Sequence, residues 1–191
     1  MILASQSPRR IQLMQEAGYT IKVCPADIDE TPEAAETPLA LVERLARAKA
    51  AALAPQAEPG EIIVAADTIV THDGKILGKP RDAQDACRML RELSGRTHQV
   101  ATGVCILKTA EPDVYRAAVN ESFVSVTDVT FYELTEKQIE EYVATGEPLD
   151  KAGAYGIQGT GGRMLVKKID GDFYNVVGLP IAAVVRKINA L

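Results

Sequence analysis

The chain begins with the stretch MILASQSPRR (residues 1–10), in which an apolar run gives way to two serines, a proline and two arginines. The apolar residues predict a short buried strand over residues 1–5. A helix is expected to begin at Pro8, because Ser7 suits the N-cap and proline suits the first helical position. Residues 19–24 then predict a second strand, so the chain opens with a strand–helix–strand pattern.

The rest of the sequence continues this alternation. Further helices are expected over about 37–53, 82–93 and 135–145 and from 179 onward, and further strands over about 62–70, 100–107, 123–132 and 164–169. A turn at Asp73-Gly74 predicts a hairpin. Strands that alternate with helices favour a mixed α/β sheet protein.

The composition excludes several classes of protein. A formal net charge of −5 argues against a nucleic-acid partner, because such binding needs a basic face. No apolar run approaches the roughly 20 residues of a transmembrane helix, so no membrane partner is expected. Met1 leads straight into an apolar run, and three widely spaced cysteines suit reduced thiols, so a cytoplasmic protein is expected.

Arg9 and Arg10 stand in the first turn of the expected helix. That turn normally favours acidic residues, because the helix dipole is positive there. Two guanidinium groups in this position lower stability unless an anion lies nearby, and free backbone N–H groups with hydroxyls also attract phosphate. The stretch therefore indicates either a phosphate site or a capped surface helix with solvated arginines.

Asp67 lies in the otherwise almost wholly apolar stretch IIVAADTIV (residues 62–70). A carboxylate in such surroundings must be ion-paired, metal-bound or hydrogen-bonded, because its unpaired burial is costly. Two interpretations stay open, both with Asp67 at a strand end. It is a general base or metal ligand at the carboxyl end of the strand, or it caps a neighbouring turn.

Other polar residues give weaker signals. The acidic loop over 27–31 offers oxygen ligands that suit Mg²⁺, although charge runs are usually just solvated. Lys79 lies in a basic turn and could place a point charge on a phosphate. Gln158 lies in a glycine-rich segment, and its amide complements the N–H and carbonyl of a pyrimidine base. His72 and His98 are too isolated for a metal cluster, and His98 is expected either to have a structural role or to support a site residue from behind.

Taken together, these segments resemble the Maf family of nucleoside triphosphate pyrophosphatases. The matching stretches occur in the family's order over nearly the whole chain. They are LASQSPRR (3–10), ADT (66–68), GKP (78–80), Ser94-Gly95-x-x-His98, EPLDKAGAYGIQG (147–159) and VVGLP (176–180). Each stretch alone is common, whereas the combination is specific.

The resemblance implies a single α/β domain over residues 1–191, with a two-lobed mixed sheet, flanking helices and a central cleft similar to inosine triphosphatase-like folds. It implies hydrolysis of a nucleoside triphosphate to the monophosphate and pyrophosphate with a divalent cation, Mg²⁺ or Mn²⁺. Asp67 is expected to be the catalytic proton acceptor, and Glu30 and Asp67 the metal ligands. The expected substrate-binding residues are Ser5, Arg9, Arg10, Lys49 and Lys79.

Three positions separate the branches of the family. Arg9, Thr68 and Gln158 match the branch that acts on dTTP and UTP, whereas the 7-methyl-GTP branch has tryptophan, glutamine and glutamate there. The resemblance therefore favours dTTP, UTP and modified pyrimidine nucleotides as substrates. The alternatives are a non-catalytic nucleotide-binding regulator of cell division and septum formation, and a 7-methyl-GTP pyrophosphatase. A homodimer is an expectation from the family alone.

Overall fold

The computed structural model of the protein describes residues 1–110 and 118–191. Its helices are α1 (Pro8–Glu16), α2 (Pro38–Leu53), α3 (Ala83–Leu93), α4 (Glu136–Ala144), α5 (Phe173–Val177) and α6 (Ile181–Ile188). Its strands are β1 (Ile2–Leu3), β2 (Lys22–Val23), β3 (Ile62–His72), β4 (Lys75–Leu77), β5 (Thr97–Lys108), β6 (Val119–Phe131) and β7 (Val166–Asp170).

The strands form a seven-stranded mixed sheet in the order β2-β1-β3-β5-β6-β7, with β4 paired to β3. Strand β1 runs parallel to both β2 and β3. Parallel neighbours need long crossovers, and these contain α1 and α2. The hairpin of β3 and β4 and the pair β6–β7 are antiparallel. The expected mixed α/β sheet is confirmed.

The chain divides into two compact units, and strands β3, β5 and β6 contribute residues to both. The first unit comprises Met1–Asp67, Thr102–Ser125 and Gly178–Leu191, and the second comprises Thr68–Ala101 and Val126–Val177. Each unit has its own apolar core.

The core of the first unit holds α2 tightly against strand β5. Val42, Ala46 and Ala50 on one face of α2 are fully buried. A Cβ atom at Gly103 in β5 would lie 2.2 Å from the backbone oxygen of Val42, so only glycine permits this approach of helix to strand. A larger residue at position 103 would therefore push α2 away from β5 at this point.

The core of the second unit is built around a buried histidine. His98 packs edge-on against the rings of Phe131 and Tyr155, with centroid distances of 4.9 and 5.3 Å. Its Nε2 forms a hydrogen bond of 2.8 Å with the hydroxyl of Tyr155. The expected structural role of His98 is confirmed by this packing.

Local signals predicted some features and missed others. The capping box of α4 is present, with Thr135 and Gln138 bonded reciprocally. Ser7 occupies the N-cap of α1, but its side chain makes no capping hydrogen bond. Helix α5 was not predicted, because five residues are too few for helical periodicity. Across the described residues, no helix is both long and apolar enough to cross a membrane.

The burial of His98 predicts loss of stability in mild acid. Burial, with a smaller contribution from His72, lowers the pKa of His98 from 6.5 to about 3. Between these values the unfolded chain binds a proton that the folded chain does not, so the free energy of unfolding falls as the pH falls. This one group contributes up to about 1.4 kcal/mol per pH unit.

We therefore expect His98→Gln to flatten the pH dependence of stability, measured by urea unfolding from about pH 6.5 to about pH 5. The glutamine can still hydrogen-bond the Tyr155 hydroxyl but does not titrate. An equally steep pH dependence in His98→Gln would refute the assignment of this effect to His98.

Candidate active site

A buried lysine joins two carboxylates in the first unit. Lys49 lies on α2 and is 9% exposed. Its Nζ lies 2.6 Å from Oδ1 of Asp67 in β3 and 2.7 Å from Oε1 of Glu30 in the loop after β2. One ammonium group is therefore shared by two carboxylates that would otherwise repel each other.

Asp67 is not at a strand end. Strand β3 continues through Thr68 to His72, so both interpretations that placed the carboxylate at the end of a strand are wrong on this point. The strand continues because the residues after Asp67 are rich in β-branched side chains and pair with β4. Asp67 is instead half-buried within the strand and satisfied by the Lys49 ammonium.

Arg10 anchors the start of α1. Its Nε donates to the carbonyl of Gly178 at 2.7 Å, and its Nη1 donates to Oγ of Ser5 at 3.2 Å. Burial lowers the pKa of Arg10 and the charge of Arg9 acts in the same direction, whereas the carboxylates of Asp67 and Glu30 raise it. Arg10 therefore interacts electrostatically with the acidic residues that Lys49 joins.

These contacts define a polar cluster in the first unit. We use this name for Ser5, Arg9, Arg10, Glu30, Lys49 and Asp67. The basic first turn of α1 lies beside other predicted site residues, and its phosphate-site interpretation stays a prediction. Cations and carboxylates together give the cluster both anion-binding and proton-accepting groups.

The other predicted site residues belong to the second unit. Thr68 is half-buried in β3, and Lys79 is exposed in the turn after β4. The carbonyl of Gly78 in this turn accepts a hydrogen bond of 3.1 Å from the backbone N–H of Gly153, which joins the turn to the glycine-rich segment. Gln158 in that segment has an exposed side chain.

The donor set for a divalent cation is small. In residues 1–110 and 118–191, no group of three or more His, Cys, Asp or Glu side chains could hold a metal. Glu30 and Asp67 provide two carboxylates, which fits Mg²⁺, since it binds one or two carboxylates and completes its shell with water and substrate phosphates. A divalent cation bound to both Oε1 of Glu30 and Oδ1 of Asp67 would have to displace the Lys49 ammonium from these two atoms.

Three side chains outside the predicted site hold the segment around Gln158. Glu147, Tyr142 and Arg163 bond to the glycine-rich segment around Gln158. Glu147 begins the stretch EPLDKAGAYGIQG (147–159), but charged loop residues are usually solvated, and the residue types of Tyr142 and Arg163 did not point to this role. The density of glycines between Glu147 and Arg163 was a second sequence signal.

Comparisons with known proteins agree with these features. A family model described as Maf-like protein matches residues 1–191. A dTTP/UTP pyrophosphatase of Bacillus cytotoxicus is 48% identical over 98% of this chain and 93% of its own. A dTTP/UTP pyrophosphatase of Anaeromyxobacter dehalogenans strain 2CP-C is 50% identical over 95% of this chain and 89% of its own.

A solved structure has a similar fold. The structure of a HAM1 protein from Coxiella burnetii superposes with a TM-score of 0.50 and covers 100% of this chain and 98% of that chain. The two sequences are only 16% identical, so the likeness concerns the fold alone.

Because two carboxylates share the Lys49 ammonium, we expect Lys49→Met and Asp67→Asn to lower the free energy of unfolding by different amounts. Lys49→Met leaves two carboxylates without their common cation, and we expect a loss of about 2–4 kcal/mol in the free energy of unfolding. Asp67→Asn leaves the pair of Lys49 and Glu30 intact, so its loss is expected to be about 1 kcal/mol. Urea unfolding measures both, and equal losses would contradict the shared geometry.

Proposed function

Because this chain belongs to the Maf family, we propose that it hydrolyses dTTP and UTP to the nucleoside monophosphate and pyrophosphate. Near full-length relatives at 48% and 50% identity carry the name dTTP/UTP pyrophosphatase. The structural observation that carries the proposal is the contact of Asp67 with Lys49 inside a cluster that also contains two arginines. This cluster combines a proton acceptor with cations for a polyphosphate.

Asp67 is the proposed proton acceptor. Its Oδ1 is held by the Lys49 ammonium at 2.6 Å, so Oδ2 is the atom assigned to the attacking water. The water oxygen bonds to the α-phosphorus, the bond between the α-phosphorus and the bridging oxygen breaks, and pyrophosphate leaves. The water proton passes to Asp67.

Cations of the chain are assigned to the phosphate groups. Arg9, Arg10 and Lys79 offset the negative charge that accumulates on the phosphate oxygens during the displacement. Arg10 is the most strongly positioned of the three, because Gly178 and Ser5 fix its guanidinium. A divalent cation, Mg²⁺ or Mn²⁺, held by Glu30 and Asp67 would supply further positive charge to the phosphates.

Gln158 and Thr68 are assigned to recognition of the base, together with Arg9 as a residue that differs between branches. The Gln158 amide can accept from the N–H of uracil or thymine and donate to the adjacent carbonyl. Uracil and thymine share this edge, so both UTP and dTTP are expected substrates.

The homodimer, the cytoplasmic location and the lack of a nucleic-acid partner stay predictions.

The first test measures pyrophosphate. With Mg²⁺, the purified protein is expected to release pyrophosphate rather than orthophosphate from UTP and dTTP. Asp67→Asn is expected to lower kcat by about 10²- to 10⁴-fold, because asparagine cannot accept the water proton. Asp73→Asn is the matched control, since Asp73 is an exposed aspartate in the β3–β4 turn.

Three outcomes would overturn the proposal. They are no turnover of any triphosphate by the unmodified chain, release of orthophosphate in place of pyrophosphate, and a kcat of Asp67→Asn equal to that of the control. Preferential hydrolysis of 7-methyl-GTP would instead favour the other branch of the family.

A second test addresses the base. Gln158→Glu replaces the amide donor with an acceptor, which suits the two donors of a guanine edge. We expect kcat/KM for UTP to fall about 10- to 100-fold while kcat/KM for GTP holds or rises. Gln56→Glu, an exposed glutamine of the first unit, is the control for added negative charge. Equal losses for UTP and GTP would remove Gln158 from base recognition.

A further inference from the structure

We propose that Glu147 is a positioning residue whose carboxylate holds the glycine loop, residues 156–162, and thereby sets selectivity for the base through Gln158. The predicted effect on selectivity rests on the proposed function. The positioning of the loop by Glu147 rests only on contacts within the second unit.

The Glu147 carboxylate accepts three hydrogen bonds. The hydroxyl of Tyr142 donates to Oε1 at 2.9 Å. The backbone N–H of Gly162 donates to Oε1 and that of Gly161 to Oε2, both at 3.3 Å. Successive backbone N–H groups that converge in this way form an anion-binding concavity, and here the anion is a side chain of the same chain.

The loop lies so close to these side chains that larger residues do not fit. A Cβ atom at Gly159 would lie 1.7 Å from Oε1 of Glu147, and one at Gly161 would lie 2.4 Å from Cδ2 of Tyr142. The glycines therefore allow the backbone to wrap around the carboxylate and the phenol ring. This packing gives the glycine-rich composition a physical reason that the sequence alone left open.

The backbone is also held from its other side. Arg163 donates from Nη2 to the carbonyl of Gln158 at 3.0 Å and from Nε to the carbonyl of Gly159 at 2.9 Å. The backbone N–H of Gly156 donates to the hydroxyl of Tyr142 at 3.2 Å. The main chain on both sides of Gln158 is thus fixed, while the Gln158 side chain remains exposed.

This arrangement preorganises an amide for binding. An exposed side chain on a fixed backbone loses less conformational entropy when it meets a ligand than one on a mobile loop. Loss of the Glu147 carboxylate removes the acceptor of Gly161 and Gly162, so the loop must be ordered when the base binds. The cost is expected to fall on substrate binding, because Glu147 is proposed to act on the base through Gln158 and not on the reacting phosphorus.

The kinetic test compares two variants with a control. Glu147→Ala is expected to raise KM for UTP about tenfold, keep kcat within about twofold, and lower the preference for UTP over GTP. Glu147→Gln retains one carbonyl acceptor and is expected to recover most of that loss. Glu141→Ala on α4 is the matched control, because Glu141 is exposed and pairs only loosely with Lys137 at 3.8 Å.

A merely structural role would lower kcat for every nucleotide together, without a change in preference, and that result would overturn the proposal. An unchanged KM in Glu147→Ala would do the same. Failure of the proposed function gives a different result, namely no pyrophosphate from the unmodified chain. UTP affinity by titration calorimetry then replaces KM and decides the inference by the same comparison.

Hydrogen exchange provides a readout that needs no activity. In Glu147→Ala, the amides of Gly161 and Gly162 are expected to exchange about tenfold faster or more, while protection of the buried face of α4 stays unchanged. Unchanged exchange at these two glycines would overturn the positioning role whatever the kinetics, and general acceleration across the second unit would identify Glu147 as a folding residue instead.

Discussion

The polar cluster depends on one buried ammonium group. Lys49 contacts Asp67 and Glu30 at 2.6 and 2.7 Å, and without it the largely buried carboxylate of Asp67 would lose its cation. Lys49 projects from α2, a helix that approaches β5 so closely that a Cβ atom at Gly103 would clash with the backbone oxygen of Val42. The residue of the candidate site that carries this ammonium therefore lies on a helix packed tightly against the sheet.

The two units use charge in different ways. In the first unit, the side chains of Arg9 and Arg10 are the cations proposed for the phosphates, while the Lys49 ammonium is held between two carboxylates. In the second unit, the carboxylate of Glu147 is used internally, because it holds backbone N–H groups in place. The first arrangement suits a charged polyphosphate, whereas the second leaves a neutral amide exposed for a base.

Regular local patterns predicted most elements. The proline after Thr37, the capping box at Thr135 and the turn at Asp73-Gly74 each correspond to an observed boundary. Errors occurred where context outweighs local preference. The apolar pattern predicted a strand over residues 62–70 and a hairpin, but the interpretations of Asp67 placed it at a strand end, whereas β3 continues through Asp67 to His72 and pairs with β4. The short α5 is fixed instead by Asn175, whose buried amide donates to the carbonyl of Val100.

The sequence by itself determined the mixed α/β class, the order of the elements other than α5, the resemblance to the Maf family and the residue types of the cluster. The class and the elements follow from periodicity, caps and turns, which act within a few residues. The resemblance follows from short motifs that occur along the chain in the family's order. Tertiary structure alone decided that Lys49 bridges Glu30 and Asp67, that Arg10 bonds the carbonyl of Gly178, and that Glu147 holds the glycine loop. Hydrogen bonds form only at donor–acceptor distances of about 3 Å, so partners distant in sequence meet only when the core has packed.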